Sequence, residues 1–417
     1  MNKLTHLIKN NKNLIANFSY LTILKFVTMF LPLFSYPYLI KILGTEKYGL
    51  LVYSQAIIGY FVILINFGFS ITTTREISIN REDKEKLSLI IFSTYFIKVL
   101  LFIISLAILF LLSLIINDIQ TNFQLYLYTM LWLALFEVFF PIYYFQGTEQ
   151  MKYITIVTLI SRLLFFICIF IFIKQESDYI LFPILNLLGS VIGILVSFYL
   201  LRKDGIRFCV PSFTEVIYHV KSSYIMGLAL GSNTLKSNLN IILIKTILSY
   251  REVAIFDLAS KLVNIGITIA DLVNQAVFPK MAKEKNKVFF KKLLKIILIL
   301  SGLFVIGSVI FGPLAVKVLG NNSMADAYPI LVLMSINIPI YSLGVMLGRN
   351  CLNIYGFDKH VLLSMVYSSI VYVFLYFLFK VVMNFDIGIY GFVLFYIFSF
   401  FTDTLYRFII CKKENLL

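Results

Sequence analysis

The chain is short of charge. Only 14% of its 417 residues are Asp, Glu, Lys or Arg, whereas 60% are hydrophobic. A soluble domain carries about 25% charged residues, and a water-exposed fold of this composition could not cover its surface. The surplus apolar surface therefore faces lipid. Acids are scarcer than bases, 21 against 36, for a net charge of +15. The positive charge sits in short loops between apolar stretches, the pattern that orients a membrane protein, and no nucleic-acid partner is inferred from it. Cysteine is sparse: Cys168, Cys209, Cys351 and Cys411 show no CxxC spacing, which predicts free thiols in place of disulfides or metal ligands. His6, His219 and His360 all fall outside the middle of any span, against intramembrane histidine chemistry. A sizeable extramembrane region and an acidic metal-binding motif are both lacking. A membrane glycosyltransferase or polymerase needs one or the other, so the chain reads as a non-enzyme with no cofactor.

What is abundant is apolar sequence in pieces long enough to cross roughly 30 Å of hydrocarbon. The first lobe has spans near 14–40, 48–73, 88–116, 124–146, 153–173 and 179–201. The second has spans near 223–248, 253–278, 293–319, 327–352, 361–380 and 387–410. The first stretch follows Lys3, Lys9 and Lys12 and is too long for a signal-peptide core, so it reads as an uncleaved span. A cytoplasmic N-terminus puts Arg75, Arg81, Lys84 and Lys86 on the inner side, then Arg202, Lys203 and Arg207, the lysines from Lys280 to Lys295, Arg349 and Arg407. The outer side receives far fewer, among them Lys41, Lys174, Lys245 and Lys317. That asymmetry predicts both termini in the cytoplasm. The expected architecture is all-α, with about twelve transmembrane helices in two six-helix lobes, 1–204 and 223–417. Residues 205–222, with Gly205 and Pro211, form either an amphipathic cytoplasmic linker or a plain loop.

The lobes share weak similarity. Leu39-Ile40-Lys41 recurs as Leu243-Ile244-Lys245, and Gly147-x-Glu149 as Gly356-x-Asp358. Six spans per repeat predicts a parallel pair related by an axis along the membrane normal.

Polar groups inside spans are costly, roughly 2.5–3.5 kcal/mol each at mid-membrane on insertion scales. Here the cations Lys25, Lys98, Arg162, Lys236 and Lys261 outnumber the acids Glu137, Asp257 and Asp271. The cation excess suits an anionic ligand. Lys98 is placed to snorkel, and Arg162 and Glu137 are a candidate pair. In the eighth span Asp257, Ser260, Lys261, Asn264, Thr268, Asp271 and Gln275 recur at helical spacing, within about 100° of arc. Such a stripe implies either a wet surface along the helix or a series of interhelical bonds with an Asp257–Lys261 pair. The seventh span repeats the theme with Asn233, Lys236, Ser237 and Asn240. The second span has Gln55, Gly59, Asn66 and Thr73 on one face. Candidate ligand residues are Lys25, Arg162, Asn233, Lys236, Asn240, Lys261, Asn264, Thr268 and Gln275. Candidate proton or sodium sites are Glu137, Asp257 and Asp271. Pro32, Pro37, Pro141, Pro183, Pro313 and Pro339 fall where helices would bend.

The N-terminal third carries a recognisable set of residues. It contains Asn17-Phe18, Pro32-Leu33, Pro37-Tyr38-Leu39, Leu43-Gly44, Tyr48-Gly49 and Tyr60. Asn66-Phe67-Gly68-Phe69, Thr74-Arg75-Glu76-Ile77 and Phe145-Gln146-Gly147-x-Glu149 follow. Over residues 17–155 this resembles the Wzx-type O-antigen and polysaccharide flippases of the multidrug/oligosaccharidyl-lipid/polysaccharide (MOP) exporter superfamily. Beyond that only span count and lobe plan match. The resemblance implies a MATE-like fold with a cationic central cavity. It also implies translocation of undecaprenyl-pyrophosphate-linked oligosaccharide, an O-antigen or related repeat unit, across the bacterial inner membrane by alternating access. The partners implied are that glycolipid, membrane lipids, a polysaccharide polymerase and a chain-length regulator. The competing expectation is an ion-coupled MATE-like small-molecule exporter, for which acids would be favoured over cations as ligands for cationic drugs.

Overall fold

The computed structural model describes residues 12–115 and 121–416. Lys3, His6, Lys9 and residues 116–120 lie outside the described residues, as does the side chain of Asn233. Among the described residues the chain is almost wholly helical, without a strand. A helix satisfies its own N–H and C=O groups, as a segment in hydrocarbon must. Ten stretches are long and apolar enough to cross a membrane. The first of these, Thr22–Ile79, has 58 residues and is long enough to cross twice. Counting its two passes and adding the 35-residue helix Phe213–Ile247 gives about twelve, as the hydropathy predicts.

Helix α1, Lys12–Asn66, would be over 80 Å long if straight. It leaves helical geometry at Gly44, where φ is +71°, a conformation glycine adopts without a Cβ penalty. Pro32 and Pro37, expected to bend this region, lie within continuous helix. Pro313 does the same in Lys287–Gly320. Pro141 instead precedes helix Ile142–Gly147. Pro183 and Pro339 lie in the first turns of Leu181–Lys203 and Asn337–Leu347, where a missing N–H costs nothing.

Two compact units emerge. One comprises residues up to Leu43 with Ile57–Gly231; the other comprises Gly44–Ala56 with Ser232–Leu417. The 205–222 segment is only partly loop, since helix begins at Phe213 and runs on to Ile247. Its His219 is buried and pairs with Glu76 at 3.1 Å.

In the first unit, two of the sequence motifs meet. Thr74 donates to Gln146 Oε1 at 3.4 Å, and a Cβ on Gly147 would come within 2.6 Å of Ile77. Arg81 clamps the corner by donating to the Gly147 carbonyl at 2.8 Å and to Glu149 at 3.1 Å. Ile77 of these motifs belongs to a core that includes Leu87, Ile91, Tyr143, Tyr144 and Phe145. In the second unit a core around Met281, Leu347, Leu352, Cys351 and Cys411 brings two free thiols to 3.5 Å of one another.

Candidate functional site

The polar stripe lies on the tenth α-helix, α10, Tyr250–Glu284 of the second unit. The Ser249 side chain caps α10 by accepting from the Glu252 N–H, relieving one orphan donor of its first turn. One turn later Lys261 Nζ bonds Asp257 Oδ2 at 2.5 Å. Tyr48, buried, inserts between them: its hydroxyl donates to Asp257 at 2.7 Å and accepts from Lys261 at 2.7 Å. Tyr48 gets this close because the next residue is Gly49. A Cβ there would fall 1.8 Å from the Tyr250 carbonyl oxygen.

Further along α10, Ser260 donates to the Phe256 carbonyl, with Met334 Sδ 3.9 Å away. Asn264 is exposed, and Thr268 donates to its carbonyl at 2.7 Å. Asp271 accepts from Arg349 at 2.9 Å and from Gln275 at 2.9 Å. The two acids of the stripe are therefore each matched by a cation. Asn264 and Thr268 lie between the two ion pairs. Arg349, placed by sequence in an inner loop, stands on the π-helical turn Gly348–Leu352 and reaches back to α10.

The seventh-span residues lead into the interior of the same unit. Lys236 is 3% exposed. Its Nζ lies 3.3 Å from Ser368 Oγ and 3.9 Å from the centre of the Phe400 ring, an ammonium held by one hydroxyl and a π face. Asn240 is fully buried and accepts from Tyr372 at 2.5 Å, while its Nδ2 finds no partner among the described residues. Ser237 and the Tyr396 hydroxyl are 3.3 Å apart.

Nearby is a cation that sequence reasoning misassigned to a loop. Arg407 is 4% exposed. Its guanidinium bonds Asp403 at 2.9 Å, the Gly344 carbonyl at 2.8 Å and Ser364 at 2.9 Å. Gly348 makes room, since a Cβ there would meet the guanidinium at 2.8 Å. The i,i+4 spacing of Asp403 and Arg407 was visible in the sequence, but their closeness to a basic C-terminus concealed their depth.

In the first unit Lys98 does not snorkel. It is 2% exposed and donates to Asn66 Oδ1 at 3.0 Å and the Glu137 carbonyl at 2.7 Å. The Glu137 carboxylate accepts from Asn66 Nδ2 at 3.0 Å, so Asn66 takes the place expected for Arg162. These groups gather where helices break: α1 ends at Asn66 before left-handed Gly68, and Ala134–Phe139 stops ahead of Pro141. Carbonyls freed at a break are natural partners for a buried ammonium. Arg162 is exposed on helix Met151–Phe172, and Lys25 is partly exposed on α1. No group of three or more His, Cys, Asp or Glu side chains suited to a metal ion occurs among the described residues.

The family described as polysaccharide biosynthesis protein matches residues 14–285. A protein of Escherichia coli (strain K12) named "Putative O-antigen transporter" is 23% identical over 357 residues, covering 82% of this chain and 85% of that one. Its namesake from Shigella dysenteriae is 25% identical over 268 residues, 63% of this chain and 66% of that one. An inward-facing multidrug resistance MATE family transporter of the MOP superfamily superposes with a TM-score of 0.72 at 15% identity, over 92% of this chain and 94% of that one. A MOP superfamily transporter from Pyrococcus furiosus gives 0.64 at 13% identity, over 97% and 94%. The chain is thus a multi-pass membrane protein with the MATE-like fold of the MOP transporters, and it belongs to the polysaccharide biosynthesis protein family.

Proposed function

We propose that this transporter flips an undecaprenyl-pyrophosphate-linked oligosaccharide, an O-antigen or related repeat unit, from the cytoplasmic to the periplasmic leaflet of a bacterial inner membrane. It works by alternating access, with both termini in the cytoplasm and a polysaccharide polymerase and a chain-length regulator as downstream partners. The observation that carries this reading is the α10 stripe, where Lys261 stands beside exposed Asn264 and partly exposed Thr268 in a family of polysaccharide biosynthesis proteins. A pyrophosphate is anionic, and a lysine on a flexible stem can follow it and release it. Asn264, Thr268 and Gln275 supply amide and hydroxyl groups for sugar hydroxyls. Lys25, Arg162 and Asn233 are further members of the set, and Lys236 and Asn240 join it when the interior of the second unit opens. Asp257 serves as an internal counter-ion for Lys261, given up when the pyrophosphate arrives. With Glu137 and Asp271 it is a candidate proton or sodium site for ion coupling.

The test is surface glycan display in a strain whose own flippase is deleted, with protein level measured alongside. Lys261→Ala is expected to abolish display at normal protein level, and Lys261→Arg to retain part of it. Recovery of display in the double variant Asp257→Ala/Lys261→Ala would reduce the pair to a structural brace. Full display from both Lys25→Ala and Lys236→Ala at normal protein level would remove those two lysines from the set.

A further inference from the structure

The densest positive charge in the chain is at the turn joining α10 to the next helix, here α11, Lys287–Gly320. Seven lysines fall between residues 280 and 295, with Glu284 the single acid. Three are tied down within the second unit. Lys280 lies over the Phe289 ring at 4.2 Å, Lys285 over the Tyr355 ring at 5.2 Å, and Lys287 donates to the Asn415 carbonyl. Lys283, Lys291, Lys292 and Lys295 are exposed and have no such partner among the described residues.

Lys283 ends α10 and the other three open α11, and their position on α11 decides what they face. Ile296, Ile299, Leu303, Ile306 and Ile310 are 41% to 63% exposed. Their helical spacing places them within about 80° of arc. An exposed isoleucine and leucine stripe on a membrane-spanning helix is its lipid-facing side. Lys292 lies at the centre of the same arc and Lys295 about 60° to one side of it. The opposite side, with Phe290, Leu293 and Ile297, is buried. Lys292 and Lys295 therefore continue the lipid-facing surface, and exposed Lys291 flanks it about 100° to the same side of its centre.

Depth follows from length. At 34 residues α11 spans about 50 Å, some 20 Å more than the hydrocarbon core. The exposed apolar stripe begins only at Ile296, so the turns before it stand at headgroup level. The N-terminus there is capped by Asn286, which accepts from the Phe289 N–H, and its dipole adds positive potential at the same level.

We propose that this turn is a binding surface for anionic phospholipid headgroups, with Lys283, Lys291, Lys292 and Lys295 contacting lipid phosphates whose chains lie along the Ile296–Ile310 stripe. The proposal is independent of the transported ligand. Charge complementarity and the continuity of the lysines with the apolar stripe select a lipid over a free anion, because only a lipid engages both.

Thermal unfolding of the purified full-length protein in neutral detergent tests it, with added phosphatidylglycerol, phosphatidylcholine or soluble glycerol 3-phosphate. Phosphatidylglycerol is expected to raise the midpoint, an effect that added salt weakens, while the other two leave it unchanged. Replacing the four lysines by glutamine should raise the phosphatidylglycerol concentration giving half of the shift by about tenfold or more. A matched variant with Lys84, Lys86, Lys152 and Lys203 changed to glutamine should behave as the parent. Equal shifts from phosphatidylglycerol and phosphatidylcholine in the parent overturn the proposal without reference to any variant. A shift from glycerol 3-phosphate, or an undiminished shift in the first variant, overturns it as well.

Discussion

Arg407 and Lys236 are buried to nearly the same extent in the same unit, yet their charges are held differently. Arg407 fills its fork with a carboxylate, a carbonyl and a hydroxyl. Removing one partner of a buried pair leaves the other charge stranded, at a cost of about 3–5 kcal/mol. Arg407→Ala should therefore lower the unfolding midpoint strongly. Arg407→Lys should not restore it, because an ammonium cannot reach three acceptors in a planar fork. Adding Asp403→Asn to Arg407→Ala should recover part of the loss. Lys236 has no acid within ion-pair distance among the described residues, only Ser368 and the Phe400 ring. Lys236→Met keeps the volume and sheds the desolvation cost, so the midpoint should hold or rise even where glycan display is lost. A large fall in the midpoint of Lys236→Met would show that this lysine is a structural tie.

Two glycines of α1 make the same residue type do different jobs in one element. Gly44 turns the chain at positive φ, with no heavy atom within 4 Å of a would-be Cβ. Gly44→Ala should cost only the backbone strain of φ 71° and ψ 171°, a region essentially confined to glycine, about 1–3 kcal/mol. Gly49 has ordinary helical geometry but abuts the Tyr250 carbonyl. Gly49→Ala must push α1 away from α10 and pull Tyr48 out from between Asp257 and Lys261. It should lower both the midpoint and glycan display well below Gly44→Ala. Along α10 the structure sharpens the accessibility pattern. Single cysteines at Asn264 and Thr268 should react with water-soluble thiol reagents, whereas cysteines at Leu258 and Val263, which are buried, should not. Equal rates at all four positions would mean that the stripe is not a wet surface.

At the scale of the whole chain, the expected orientation rests on the lysine-rich turn before α11 and the short turn after it. Both Asn286 and Ser323 are exposed, at opposite ends of a helix about 50 Å long. A cysteine at Ser323 should be labelled by an impermeant reagent in intact cells, and one at Asn286 only after permeabilisation. Labelling of Asn286 in intact cells would reverse every side assignment.

The helices, their approximate number and the basic loops were legible in the chain because hydropathy and charge are local properties: each segment meets lipid or water on its own account. The α10 stripe was legible for the same reason, since helical spacing alone puts its residues on one side. The partner of each buried charge was not. Asn66 rather than Arg162 holds Glu137, Tyr48 joins Asp257 and Lys261 from far away in sequence, and Arg349 and Arg407 turn inward from span ends. Hydrocarbon makes an unpartnered buried charge costly, but which partner it finds depends on which helices adjoin and how closely their glycines let them approach, and that is settled only when the helices pack.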